Sequence, residues 1–211
     1  KPDSVPPVAD PSSRPTSPRR AATRARLLEG ARQVIAEQGV RGASVEAICD
    51  AAGFTRGAFY SNFIDRDELV LALIADDHDT TLTHVEAVLA SPPDDPEAIV
   101  EAILERLADV DPRQRYLTRT ELTLYAVRSD AVRSDFVRLR GEFRSAFRNA
   151  IESAAARQGI ALRLDPATLV RTVEALHDGA MAQSLLEPID LPMGSLQRAV
   201  LPRLFLDRDV D

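Results

Sequence analysis

The helical spacing of its apolar residues is the feature of this sequence that most constrains its fold. Three apolar segments begin with the dipeptide Asp-Pro, at residues 95–96, 111–112 and 165–166. An aspartate at this position accepts a hydrogen bond from a free N–H of the first turn, and proline occupies a position that needs no donor. Strand signals, meaning sustained alternation of apolar and polar residues or an Asn-Gly turn, are nearly absent. The sequence therefore predicts an all-α fold of about nine helices.

Other helix ends can also be located in the sequence. Ser17 followed by Pro18 starts the first predicted helix, with Thr23 as an alternative start, and Gly39 ends it. Aromatic and aliphatic residues at helical spacing predict a long helix from about residue 132 that Gly159 ends. The last predicted helix covers about residues 195–205. The stripes that face the core comprise Leu27, Leu28, Ala31, Val34 and Ile35 in the first helix, and Val132, Phe136, Leu139, Phe143, Phe147 and Ile151 in the long one.

Several functional classes find no support in the composition. The longest apolar run, residues 69–75, is far shorter than the ~20 residues that span a membrane, and residues 1–18 hold six prolines and no apolar segment typical of a signal peptide. A single cysteine excludes an internal disulfide and multi-thiolate zinc sites. No phosphate-binding loop, nucleophile elbow or paired nucleophile and base is present. We therefore expect a cytoplasmic protein that is not an enzyme and needs no cofactor, metal or membrane.

The charge is distributed unevenly along the chain. The formal net charge is −7, but residues 1–66 carry ten basic and seven acidic side chains, whereas residues 67–211 carry sixteen basic and twenty-six acidic ones. Binding to a polyanion depends on local rather than total charge. The first third of the chain is thus the part that favours nucleic acid.

Residues 44–63 predict two short helices joined by a tight turn. Ser44 starts the first helix, Gly53 and Phe54 form the turn, and Thr55 starts the second helix, which we expect to extend to Phe63. This arrangement is typical of a helix-turn-helix, which places its second helix in the major groove of DNA.

The second short helix combines residue types that suit such a groove. A threonine and an arginine at its start suit a phosphate, and two small residues allow the backbone to approach base edges. Three hydrogen-bonding side chains follow near its end, and two phenylalanines pack inward. The set comprises Thr55, Arg56, Gly57, Ala58, Tyr60, Ser61 and Asn62, with Phe59 and Phe63 as the inward residues. For Tyr60, a partly buried structural role is the alternative.

The run from Arg24 to Ile74 resembles the N-terminal DNA-binding domain of TetR/AcrR-type transcriptional regulators. The resemblance lies in the sequence SVEAICDAAGFTRGAFYSNFIDRDELVLALI and departs from the usual pattern mainly at Cys49, where alanine is common, and at Ile64. It implies that Ser44, Thr55, Tyr60 and Arg66 bind phosphates, and that Arg56, Gly57, Ala58, Ser61 and Asn62 face bases or nearby backbone.

The resemblance also implies a domain organisation and a function. Residues 1–16 would be a disordered Pro-rich tail, residues 17–66 a three-helix DNA-binding domain, and residues 67–211 an effector-binding and dimerisation domain. We expect a ligand-responsive regulator, more often a repressor, which binds a palindromic operator in double-stranded DNA as a homodimer through its last two helices and responds to a small molecule. An all-α adaptor that uses the same helical hairpin for protein contacts is the alternative, and a helical enzyme is the third option.

Several residues leave two interpretations open. Arg14, Arg19, Arg20, Arg24 and Arg26 could form a basic arm on the minor groove, but a solvated tail is favoured. Arg41 is equally compatible with a contact to the DNA backbone and with no contact to DNA. Cys49 is favoured as a buried thiol over a redox sensor. The acidic stretch comprises Asp76, Asp77, His78 and Asp79, with His84, and a solvated face is favoured over metal binding for it. For His177, a core or interface role is favoured over a ligand contact.

Overall fold

A computed structural model describes residues 17–93, 95–108, 111–159 and 161–205. Within these ranges the chain forms nine α-helices and no strand, as the sequence predicts. The predicted tail, residues 1–16, lies outside the described residues. None of the described helices combines the length and the apolar character that a membrane-spanning segment requires. The helices are α1 (Pro18–Gly42), α2 (Val45–Ala52), α3 (Arg56–Tyr60), α4 (Arg66–Leu89), α5 (Pro96–Leu107), α6 (Pro112–Arg128), α7 (Asp130–Gln158), α8 (Pro166–Leu186) and α9 (Ser195–Phe205).

Most helix starts follow the local signals in the sequence. The Ser17 hydroxyl accepts a hydrogen bond from the backbone N–H of Arg20 at 3.4 Å, so α1 starts at the first of the two predicted positions. The helices α5, α6 and α8 all begin at the proline of an Asp-Pro pair. The Asp111 and Asp165 carboxylates accept the N–H groups of Arg113 and Thr168 at 2.9 and 3.0 Å, but Asp95 makes no such side-chain cap, so the predicted aspartate cap is wrong for α5. These caps satisfy N–H groups that have no partner inside the helix.

Gly39 breaks the regular geometry of α1 as predicted. Its φ of 71° and ψ of 165° lie outside the helical region, and a short turn to Gly42 follows. A Cβ at this position would lie 2.8 Å from Oε2 of Glu121, which accepts a hydrogen bond from the N–H of Val40 at 3.3 Å. A side chain at position 39 would therefore meet both a backbone conformation that L-residues disfavour and a close neighbour.

Two apolar clusters form the core, and the long helices α4 and α7 contribute residues to both of them. The first cluster consists mainly of buried residues of α1, α2, α3 and the start of α4, together with Leu122 of α6 and Phe136 of α7. The second cluster fills the space between α4, α5, α7, α8 and α9, with Phe147 and Leu169 among its buried members. The helix-turn-helix therefore packs against helices that lie well beyond residue 66.

Candidate nucleic-acid interface and body cavity

Glycine makes the turn between α2 and α3. Gly53 follows α2 with φ 71° and ψ 36°, the left-handed conformation in which glycine avoids a Cβ clash. The next residue, Phe54, donates its backbone N–H to the carbonyl of Cys49 at 2.9 Å. Thr55 then starts α3, and its hydroxyl accepts from the N–H of Ala58 at 3.3 Å. The sequence correctly predicts this helix-turn-helix and both of its caps.

The regular part of α3 is shorter than the nine residues that the sequence predicts. The helix ends at Tyr60, and a turn continues its hydrogen bonding: the N–H of Ser61 bonds to the carbonyl of Gly57, and that of Phe63 to the carbonyl of Phe59. Phe59 and Phe63 are almost fully buried, as predicted, and their ring centroids lie 5.6 Å apart. These two rings fix α3 on the core.

Most of the predicted contact residues lie at the surface. The Ser44 and Thr55 hydroxyls each accept a backbone N–H of their own helix, which leaves the hydroxyl proton free for another acceptor. Tyr60 is 51% exposed and its ring lies edge-on to Phe59 with centroids 5.3 Å apart, so its hydroxyl is accessible while part of the ring is covered, and both interpretations of this residue stay open. The exposed members of the set are Ser44, Thr55, Arg56, Gly57, Tyr60 and Ser61, and Ala58 is half-buried.

Asn62 corrects the prediction that this side chain faces a groove. Only 8% of the residue is exposed. Its Nδ2 donates to the carbonyl of Ala58 at 2.8 Å, and its Oδ1 is buried without a hydrogen-bond partner among the described residues. The turn after Tyr60 directs residues 62 and 63 inward together, so the straight helical extrapolation from Thr55 fails at this position.

The two arginines that the resemblance assigns to DNA have partners within the protein. Arg56 forms an ion pair with Glu46 at 2.7 Å, but both side chains are more than half exposed, so solvent weakens the pair and Arg56 remains available. Arg66 is half-buried and donates from its Nη1 to the carbonyl of Val40 at 3.3 Å. Arg66 thus links the start of α4 to the end of α1.

The N-terminal arginines contact the helix-turn-helix, which neither interpretation of these residues predicts. Arg20 donates to the carbonyl of Ser61 at 3.1 Å, and Arg24 donates to the carbonyl of Asn62 at 3.0 Å. The guanidinium of Arg24 also lies 4.3 Å from the ring centroid of Phe63. These cations satisfy carbonyls at the carboxyl end of α3, where positive charge is favoured.

Arg26 makes the equivalent contact at the end of α2. It donates to the carbonyl of Ala52 at 3.0 Å and lies 4.8 Å from the ring of Phe54. Of the other two arginines in this group, Arg19 is exposed and Arg14 lies outside the described residues. The arginines are therefore structural as well as basic, because α1 holds the ends of both helices of the motif.

Cys49 is a buried thiol, as the favoured interpretation predicts. It is 2% exposed in the contact between α1 and α2, and burial together with the nearby carboxylate of Asp50 raises its pKa. A raised pKa and burial both oppose thiolate chemistry.

The body of the protein contains a cavity that could not be predicted from the sequence. It has a volume of about 150 Å³ and an almost entirely apolar wall drawn from six helices. The spacing of apolar residues indicates that they are buried but does not distinguish a packed core from a cavity wall. The wall includes Val85 and Leu89 of α4, Ile99 and Ile103 of α5, Phe143, Phe147 and Ile151 of α7, Val173 of α8, and Leu201 and Phe205 of α9.

Ion pairs beside this cavity correct the interpretation of Asp77 as part of a solvated face, whereas Asp79 of the same stretch is exposed, as that interpretation predicts. Asp77 lies 3.0 Å from Arg115 and 3.6 Å from Arg119, and Asp76 pairs with Arg32 of α1. Burial alone would raise the pKa of Asp77, but Arg119 and Arg115 hold it below its ordinary value. In the part of the chain that the structure describes, no group of three or more acidic, histidine or cysteine side chains is arranged to hold a metal.

Two histidines adjoin the same arginines. The ring of His78 stacks on Phe143 with centroids 4.5 Å apart, and His177 lies in the cavity wall. Burial, with a contribution from nearby arginines, lowers the pKa of each histidine to about 4. Both rings are therefore neutral at pH 7, and His177 is placed at the cavity rather than inside a solid core.

Comparisons with known proteins agree along most of the chain. Residues 27–73 match the family model for bacterial regulatory proteins of the TetR family, and residues 92–204 match the C-terminal model of BetI-type transcriptional repressors. The transcriptional repressor AcnR of Corynebacterium diphtheriae is 33% identical over 100 residues, which cover 47% of this chain and 48% of AcnR. The regulator UidR of Escherichia coli is 37% identical over 60 residues, 28% of this chain and 31% of UidR. The chain thus spans about half, or less, of the length of these curated relatives.

Solved structures resemble the chain over nearly its full described length. A TetR-family transcriptional regulator from Rhodococcus sp. has a TM-score of 0.68 at 25% identity, covering 87% of this chain and 96% of that protein. GusR of Salmonella enterica has a TM-score of 0.68 at 23% identity, covering 90% of this chain and 97% of GusR, and shows the shared fold.

Proposed function

The chain belongs to the TetR family of bacterial regulatory proteins, and from this premise we propose that it is a ligand-responsive repressor that binds a palindromic DNA operator as a homodimer. One observation carries the proposal: the polar and small residues around α3 are exposed together, while Phe59 and Phe63 fix the helix from behind. A short, firmly held helix with an uncovered polar face fits the major groove. An adaptor or an enzyme would not require this combination.

Within this interface the exposed residues divide by the type of contact that they can make. Ser44 and Thr55, each at a helix start, suit phosphate oxygens, because free N–H groups lie beside their hydroxyls. Arg56 suits guanine, whose two major-groove acceptors match a guanidinium. Tyr60 and Ser61 offer hydroxyls near the end of α3. Asn62 does not belong to this set in the conformation described, because its side chain is buried.

A second copy of the chain supplies the second recognition helix. One helix contacts too few base pairs for high specificity, and a two-fold dimer presents two. The outer face of α8 supports this role: Ala175, Gly179 and Leu186 are exposed at helical spacing, and Ile189 just beyond α8 is 91% exposed. Small residues beside uncovered apolar ones allow two helices to pack closely.

Helix α6 links the cavity to the DNA-binding helices. Near its start it carries Arg115 of the cavity wall, and further along it carries Glu121 and Tyr125. Glu121 accepts the N–H of Val40, and the Tyr125 hydroxyl donates to the Asp67 carboxylate at 2.6 Å. A ligand that shifts α6 therefore moves the ends of α1 and α4, and a coupling of about 1–3 kcal/mol changes operator affinity by roughly 5–150-fold.

The proposal is tested by replacing Arg56 and a matched arginine elsewhere. Arg56→Gln and Arg138→Gln each remove an exposed, ion-paired guanidinium, the second from α7. Fluorescence anisotropy with a duplex selected from random sequences measures the affinity. We expect Arg56→Gln to weaken binding by about tenfold or more, as for loss of a base contact, and Arg138→Gln to change it by less than about twofold. Equal effects of the two substitutions would contradict the assignment of α3.

A further inference from the structure

The cavity is elongated, and its charged side chains gather toward one end, whereas the neutral amide of Gln158 lines the other end, beside Leu89. Along α4 its wall extends from Thr81 to Leu89, about 12 Å at the rise of an α-helix. Thr81 accepts a hydrogen bond from Arg115 at 2.6 Å, whereas Leu89 lies in the apolar second cluster. The cavity thus has the shape and polarity to accept a chain-like molecule with one polar head.

Positive charge exceeds negative charge at the polar end. Four arginines surround two carboxylates there, and both adjacent histidines are neutral at pH 7. A further carboxylate, Asp178, is half exposed to solvent, which screens it. The arginines are Arg115, Arg119, Arg140 and Arg144, and the two carboxylates are those of Asp77 and Glu174.

Arg119 is the member of this group with unused hydrogen-bonding capacity. Arg115 makes close hydrogen bonds at 3.0 and 2.6 Å, but Arg119 approaches Asp77 and Asp178 only at 3.6 and 3.5 Å. These distances are those of ion pairs rather than of good hydrogen bonds. A guanidinium has five N–H donors in a planar fork that matches a carboxylate, so Arg119 can still bind one in a bidentate manner.

Gln197 shows independently that the cavity wall is built for a ligand. This residue of α9 is 2% exposed and lines the cavity, and its Oε1 has no hydrogen-bond partner among the described residues. A buried amide oxygen without a partner is costly and uncommon in native proteins. A hydroxyl on the chain of a bound molecule would satisfy it, whereas a carboxylate, which only accepts hydrogen bonds, would not.

We propose that the cavity binds an amphipathic organic anion, with a carboxylate on Arg119 and Arg115 and an apolar chain along α4 and α7. The proposal rests on the proposed function, since it names the effector class of that regulator. A quaternary ammonium ligand is disfavoured, because the arginines at the polar end repel a cation.

The test compares three probes of equal chain length on the full chain. Isothermal titration calorimetry at pH 7.5 measures the affinity for decanoate, decan-1-ol and decyltrimethylammonium. The two ionic probes are kept below their micelle-forming concentrations and decan-1-ol below its solubility limit. The expected order is decanoate first, by about tenfold or more over decanol, because hydrogen bonds between charged groups add to burial of the same chain. The ammonium probe binds most weakly. Absence of decanoate binding, or decanol or the ammonium binding as tightly as decanoate, overturns the proposal.

Variants then assign the head-group site. Arg119→Gln reduces decanoate affinity to that of decanol and leaves decanol affinity unchanged, and Arg119→Lys, which keeps the charge, retains part of the preference. Arg113→Gln, an exposed arginine on the same helix, is the matched control and changes neither affinity. Equal losses for decanoate and decanol in Arg119→Gln contradict the assignment. If Arg119→Gln does not fold, Arg119→Lys and the order of the three probes decide the outcome.

DNA binding by the same preparations separates the two proposals. Protein that binds a selected duplex but shows no preference for decanoate refutes the ligand class alone. Protein that prefers decanoate but binds no DNA sequence-specifically refutes the proposed function and leaves the ligand class supported.

Discussion

Replacement of Gly30 by alanine tests how closely the helix-turn-helix must pack on α1. Gly30 is buried in the middle of α1, where α2 ends against it. A Cβ at this position would lie 2.8 Å from the backbone nitrogen of Ala52, 3.0 Å from its Cβ and 3.1 Å from its Cα. Two of these three atoms belong to the backbone, so a side-chain rotation cannot relieve the contact, and α1 and α2 must separate.

Two opposing effects set the magnitude. Alanine is favoured over glycine inside a helix by about 0.5–1 kcal/mol, and overpacking of a close contact costs about 1–3 kcal/mol. We expect the overpacking to dominate, so that Gly30→Ala lowers the free energy of unfolding by about 1–2 kcal/mol. In a chain of this length that corresponds to a melting temperature lower by about 2–8 °C.

Gly141→Ala is the matched control. Gly141 lies within α7, and a Cβ there would have no heavy atom within 4 Å. This variant therefore shows the helix-propensity gain alone, about 0.5–1 kcal/mol of stabilisation. Urea unfolding of both variants at one protein concentration measures the difference, and anisotropy shows whether Gly30→Ala also weakens DNA binding by displacing α3. An increase in stability for Gly30→Ala equal to that for Gly141→Ala would refute the close packing of α1 on α2.

Three further predictions concern the body of the protein. Burial lowers the pKa of His78 and His177 from 6.5 to about 4, so as the pH falls the unfolded chain binds protons at these histidines before the folded chain does. The free energy of unfolding is therefore highest above pH 6.5 and falls toward pH 4, by up to about 2.7 kcal/mol per pH unit for the two groups. Urea unfolding at pH 7.5, 6.0 and 5.0 measures this fall, and a flat profile would contradict it. Gly179→Arg places a charge at a position where a Cβ meets no atom within 4 Å, so we expect the folded subunit to tolerate the substitution and the dimer to dissociate. Sedimentation velocity measures the dissociation, and an intact dimer would show that this face of α8 is not the dimer interface. Gln197→Met removes the unpaired amide oxygen and raises the free energy of unfolding of the ligand-free protein by about 1 kcal/mol, whereas unchanged or reduced stability in denaturant would mean that the oxygen is not a liability.

The helix starts could be predicted from the sequence because their causes are local. A cap such as Asp165, whose carboxylate accepts the N–H of Thr168 at 3.0 Å, joins residues three positions apart. The turn at Gly53 is equally local, since it depends on a backbone conformation that glycine adopts readily. The alternation of buried and exposed residues in α3 follows the same periodicity up to Tyr60.

Most of the errors and omissions involve contacts between distant parts of the chain, and the early end of α3 is the local exception. In sequence the acidic stretch resembles a solvated face, because Arg115, the ion-pair partner of Asp77, lies 38 positions further along the chain. Asn62 follows the inward turn of Phe63, and its carbonyl is held by Arg24 of α1. The cavity wall comes from six helices whose relative placement no local pattern determines. The helix-turn-helix could therefore be predicted from the sequence, and the cavity could not.

Selection of DNA from a random-sequence duplex library by the full chain is the decisive test of operator recognition by α3, because it presupposes no operator. We expect enrichment of an inverted repeat whose half-sites lose their information content when Ser61 and Arg56 are replaced by alanine. Enrichment of no sequence, or of one that is unaffected by these substitutions on α3, would contradict it.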